Sequence, residues 1–164
     1  MKVLLYPVLL SAALYYSPVN AAWRTTVEDD LFSSSGKSAV LGGTLTSDNH
    51  LVIFDCTNEN LRLSLVESDD KGFVQEKPAN IIFKVDDQTP TKMSGVIQRR
   101  SSAYVQATVT ERDMVLSVLK AIHGAKSKVL VGLETGDRKH TFSGDAKYST
   151  LAVNEFTRAC DINL

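Results

Sequence analysis

Two cysteines, three histidines and scattered serine, lysine and carboxylate residues are the side chains that could do covalent, acid–base or metal chemistry in this chain of 164 residues. Cys56 and Cys160 are its only cysteines. As thiolates they would be nucleophiles or metal ligands; oxidised, they would clasp the middle of the chain to its C-terminus. The compartment decides between these chemistries.

The other reactive-looking groupings are weak. Ser35-Gly36-Lys37-Ser38 has the end of a phosphate-binding loop, but Leu31 stands where that loop needs a glycine. Ser34-x-x-Lys37 followed by Ser47-Asp48-Asn49 echoes the penicillin-recognising serine enzymes, yet the chain has no Lys-Thr-Gly strand. His50, His123 and His140 are never three or four residues apart and no Cys-x-x-Cys joins them, so no zinc spacing exists. Glu28, Asp29, Asp30, Asp69 and Asp70 fall in polar stretches and read as solvated loops, without EF-hand spacing. We therefore expect no catalytic residue, no metal ligand and no cofactor.

The compartment is legible at the N-terminus. Lys2 precedes an apolar run over residues 3–16, and Val19-Asn20-Ala21 supplies the small residues read by a signal peptidase. Residues 1–21 are expected to be a cleaved signal peptide and residues 22–164 a single domain. Pro7 and Ser17-Pro18 keep the run below the roughly 20 residues that a spanning helix requires. Export to the periplasm or the exterior favours a Cys56–Cys160 disulfide; two buried free thiols are the alternative.

Positioning falls to strands and helices visible as periodicity. Leu51-Val52-Ile53-Phe54-Asp55-Cys56 and the alternating Leu61, Leu63 and Leu65 predict a hairpin across residues 57–60. Ile81, Phe83 and Val85 predict a strand ending at Asp86-Asp87; residues 103–110, 128–134 and, less regularly, 38–46 predict three more. Thr110 and Asp113 have capping-box spacing ahead of Met114, Val115, Val118, Leu119 and Ile122, a helix stopped at Gly124. His123 would face that helix's last carbonyls. A second helix is expected from Asp145, with Tyr148, Leu151, Ala152, Phe156 and Ala159 on its apolar stripe and Cys160 continuing it. The fold class is α+β: mainly antiparallel sheet, two helices and one disulfide.

Asp86 and Asp87 end an otherwise apolar strand. They are expected either to accept backbone N–H groups in the turn before Pro90 or to pair with Arg99 or Arg100; with those arginines they form a candidate partner surface. The formal charge of −1 offers nothing like the basic face that nucleic acid demands. No segment after residue 21 is long and apolar enough to insert in a membrane.

Trp23, the strand ending at Cys56, Phe83-Lys84-Val85-Asp86-Asp87, His140-Thr141-Phe142-Ser143-Gly144 and a helix closed by Cys160 follow one another in an order that resembles the periplasmic accessory proteins of bacterial type VI secretion, the VasI/TagO type. The pattern departs from that family at Met93-Ser94, where it often has tryptophan-serine, and after Cys160, where it often has another tryptophan. The resemblance implies an exported, non-enzymatic protein acting through contacts with another envelope or secreted protein. A secreted inhibitor or immunity-type protein, blocking a partner through residues 67–77, is the alternative expectation.

Overall fold

Alternating inward and outward side chains make most of this chain strand. The computed structural model describes residues 22–46, 50–57 and 60–164; the expected signal peptide, residues 1–21, and Ser47-Asp48-Asn49 lie outside them. Four strands come first: β1 (Trp23–Asp29), β2 (Lys37–Thr44), β3 (His50–Thr57) and β4 (Asn60–Ser68). β5 (Lys77–Val85), β6 (Thr91–Ser101) and β7 (Tyr104–Val109) follow. Helix α1 (Arg112–His123), β8 (Lys128–Thr135), β9 (Arg138–Asp145) and helix α2 (Ser149–Ala159) complete the described chain. The expected α+β class holds. One sheet runs β1-β2-β3-β4-β7-β6-β5-β8-β9 with every neighbouring pair antiparallel.

One face of the sheet is apolar and packs on both helices. Leu41, Val52, Phe54, Leu63, Ile81, Val109, Val129 and Val131 are buried there against Val115, Leu119, Ile122 and Phe156. The sheet also curls until its distant strands meet. Thr46, just after β2, donates its backbone N–H to the Ser143 carbonyl of β9 at 2.6 Å. His50 of β3 stacks on Phe142 of β9 with ring centroids 4.1 Å apart. Trp23 of β1 donates its indole N–H to the Asp145 carbonyl at 2.8 Å. A curled sheet hides edges that would otherwise template aggregation.

The disulfide joins Cys56 to Cys160, with Cα atoms 6.2 Å apart. It ties the end of β3 to the end of α2 at the margin of the core. Phe54 and Phe156, two and four residues before the cysteines, meet edge to face at 6.4 Å.

Several local expectations fail for identifiable reasons. The capping box at Thr110 does not form: Glu111 is the N-cap of α1 and makes no side-chain cap bond. Strand β9 runs through Asp145, so α2 begins later, with Tyr148 at its N-cap in the left-handed region (φ 66°). The Asp145 carboxylate accepts from the Lys147 N–H at 2.7 Å, a tight turn rather than a helix cap. The buried stripe of α2 also differs from the expected one: Ser149, Ala152, Val153 and Phe156 are buried, while Leu151 is 68% exposed. His123 does lie in the last turn of α1, and its Nε2 meets Asn154 Oδ1 of α2 at 2.9 Å. No apolar periodicity in the sequence predicts β1, β6 or β9.

Candidate functional site

The four residues expected to form a partner surface are placed apart. Lys77 pairs with Ile97 and Phe83 with Thr91, so Asp86 and the two arginines sit at opposite ends of the β5–β6 hairpin. Asp86 takes φ 47°. Its carboxylate accepts the backbone N–H groups of Lys126, Ser127 and Lys128 at 2.8, 3.0 and 2.9 Å, and the Ser127 hydroxyl at 2.7 Å. Those donors stabilise the anion and hold the Asp86 carboxyl far below its ordinary range. The expected backbone acceptance is therefore right in kind, with donors at the start of β8 rather than in the turn before Pro90. Asp87 is exposed beside it.

Arg100 makes a bidentate pair with Asp55 of β3, two bonds of 2.8 Å, and also donates to Gln106 at 2.9 Å. The Asp55 hydrogen bonds raise the arginine's pKa above its ordinary value. The sheet has a bulge between Arg99 and Ser101. Bulges re-aim side chains, and this one frees consecutive arginines for different partners.

Arg99 braces the connection between β4 and β5. Its Nη1 donates to the Asp69 carbonyl at 2.6 Å, its Nη2 donates to the Gly72 carbonyl, and the Asp69 carboxylate lies 3.5 Å from Nη2. Asp69 also donates its N–H to the Ala103 carbonyl and accepts from the Lys71 N–H, each at 2.9 Å. From this braced turn Phe73 projects with 92% of its surface exposed. An aromatic presented on an anchored loop can enter a partner's cleft without first ordering the loop, which lowers the entropy cost of binding. Residues 67–77, the segment expected to block a partner, carry in Phe73 an exposed aromatic that their polar composition hides. Its signal was a lone aromatic after Gly72 in a charged stretch.

A second surface lies on the sheet face opposite the helices. Pairing aligns Lys92, Ile82, Gly132 and Thr141 in one row across β6, β5, β8 and β9. The missing side chain at Gly132 leaves a depression of about 380 Å³, floored by Ile82 and Leu130 and rimmed by Lys84, Lys92, Lys139 and Glu134. Glu134 receives Lys92 at 2.6 Å, Lys139 at 3.1 Å and the Asn80 amide at 3.2 Å. The Lys92 hydrogen bond, then Lys139, lowers its carboxyl to about 2. A carboxylate so acidic is a poor proton acceptor near neutrality. His140 borders the depression, but its neighbouring carboxylate is arranged to hold lysines rather than to move protons.

Among the described residues no three His, Cys, Asp or Glu side chains are grouped to hold a metal ion. No described helix is long and apolar enough to cross a membrane. Comparison of the chain with family models, curated proteins and solved structures found no match.

Proposed function

We propose that this chain is an exported accessory or binding protein, not an enzyme, which acts in the periplasm or outside the cell by contacting another envelope or secreted protein. Residues 1–21 would be removed on export, and no cofactor, nucleic acid or membrane insertion takes part. The observation that carries this reading is the Arg99-braced loop with Phe73 at its tip. Exposed aromatics on preorganised supports are typical anchors of protein interfaces. The disulfide supports the extracytoplasmic part, since such bonds persist where the environment oxidises. The order of motifs resembling type VI secretion accessory proteins points to that apparatus, or another envelope assembly, as the place of action.

The same loop also favours the second reading, a secreted inhibitor or immunity-type protein whose Phe73 enters a partner enzyme's cleft. Capture from a host envelope fraction, with the chain and its Phe73→Ala variant as baits, tests both. A partner retained by the first bait and lost by the second is expected. A secretion component would support the first reading, and a hydrolase or toxin whose turnover the chain blocks would support the second. Identical capture by both baits, together with a turnover activity lost on His140→Ala, would sink the proposal.

A further inference from the structure

The β1–β2 hairpin ends in a tip of unusual character. Leu31 and Phe32 are 96% and 83% exposed, yet the turn carrying them is built rather than loose. Asp30 donates its N–H to the Gly36 carbonyl at 3.0 Å, and its carboxylate accepts from the Phe32 N–H at 2.9 Å. Ser33 and Gly36 close the inner turn, with Gly36 at φ 68°. Around the two apolar side chains stand Glu28, Asp29 and Asp30 against Lys37, which pairs with Asp29, while Arg112 lines the cavity behind Ser33, Ser34 and Ser35. The Lys37 hydrogen bond lowers the Asp29 carboxyl below its ordinary value. The tip is thus apolar at its point and acidic at its base.

The depression over Gly132 has the inverse character. Its floor is apolar, Ile82 and Leu130, and its rim carries three lysines against the single carboxylate of Glu134. Lys92 and Lys139 keep more than half of their side-chain surface in solvent despite that pairing. Tip and depression cannot satisfy each other within one molecule. The tip lies at the Asp29–Lys37 end of the β1–β2 hairpin, beside the cavity at Cys56 and Cys160, whereas β9 meets the opposite end of that hairpin, at Trp23 and Thr46.

We propose that the depression of one copy receives the Leu31–Phe32 tip of a second copy of this chain. The apolar pair covers the Ile82–Leu130 floor, and Glu28 and Asp30 meet Lys84, Lys92 and Lys139. Two different patches of each molecule take part, so the contact is heterologous. It propagates head to tail, closing into a ring only if the rotation between copies permits. This inference is independent of which foreign partner Phe73 engages.

Sedimentation of the purified disulfide-bonded chain tests it. The weight-average mass is expected to rise with concentration at about 0.01 M salt and to fall towards the monomer at about 1 M, where the screening length shrinks from about 30 Å to about 3 Å. Phe32→Asp and the double variant Lys92→Glu/Lys139→Glu should each be monomeric. Mixing the two variants leaves one intact tip and one intact depression, so the mixture is expected to form a one-to-one dimer that grows no further. Circular dichroism and thermal melting of each variant establish that it is folded. A wild-type chain that stays monomeric at all concentrations would overturn the proposal, as would a mixture that yields no dimer. A depression that binds only an unrelated acidic peptide or anionic vesicles while the chain stays monomeric would do the same.

Discussion

Phe54 and Phe156 meet edge to face at 6.4 Å beneath the Cys56–Cys160 bond, so an aromatic contact and a covalent one join the same strand to the same helix. The bond spans 104 residues of sequence. In the chain-entropy account a loop near that length stabilises by roughly 4–5 kcal/mol, and native domains total only about 5–15 kcal/mol. Cys56→Ser/Cys160→Ser should therefore lower the urea midpoint sharply, as should a reductant acting on the wild-type chain. Equal midpoints with and without reductant would contradict this.

Gly43 and Trp23 share one space. A Cβ at Gly43 would fall 2.6–2.7 Å from three ring atoms of Trp23. Trp23 is 1% exposed and its N–H is committed to Asp145. Gly43→Ala must displace the indole, and overpacking of this kind costs about 1–3 kcal/mol. As the chain has a single tryptophan, its emission reports this site alone: a red shift and a lowered melting temperature are expected together.

Asp86 and Glu134 are expected to contribute to the loss of stability in acid. Their folded-state pKa values lie below the ordinary 3.8 and 4.5, Glu134 at about 2. Each contribution is therefore present in full above the ordinary value and is lost as pH falls through the lowered one. Urea midpoints should decline from about pH 4.5 downwards. Asp86→Asn should be less stable at neutral pH, because one carbonyl oxygen replaces an anion that serves four donors. Its decline below pH 4 should also be shallower. An unchanged slope in that variant would refute the role assigned to the Lys126–Lys128 backbone.

Arg99 holds the Phe73 loop through bonds from two guanidinium nitrogens. Arg99→Ala should speed chymotryptic cleavage after Phe73, and Arg99→Lys should not restore protection, because an ammonium lacks the planar fork. Once a partner is in hand, Phe73→Ala is expected to weaken binding by about 2 kcal/mol or more, about thirtyfold. Cleavage unchanged in Arg99→Ala would remove the argument for a preorganised anchor.

The parts of the fold legible from sequence were those with apolar alternation or helical apolar periods: β3, β4, β5, β7, β8, the face of α1 and, less regularly, β2; the pairing of the two cysteines followed instead from the expected export signal. The missed strands lack such periodicity for physical reasons. β9 buries only Gly144, so its polar run Arg138-Lys139-His140-Thr141 shows no alternation. β6 is interrupted at Gly95, where a Cβ would lie 2.6 Å from the Thr108 carbonyl oxygen, and again by the bulge around Arg100. β1 buries Thr25, whose hydroxyl donates to the Ala152 carbonyl of α2, a satisfaction visible only in three dimensions. The sites were less legible. Asp86, Arg99 and Arg100 drew notice as charges near strands, but apart from Gln106 their partners lie 27–45 residues away in sequence. The lysine-rimmed depression needs β9 in register with β8, and β9 was the strand least visible.

The export and oxidation on which this account rests are tested most directly by the intact mass of the chain taken from its native host, alkylated before and after reduction. The chain is expected to begin at Ala22, to take up no alkyl group until it is reduced, and to take up two thereafter. A chain that still carries residues 1–21, or one with both thiols alkylated at the outset, would contradict it.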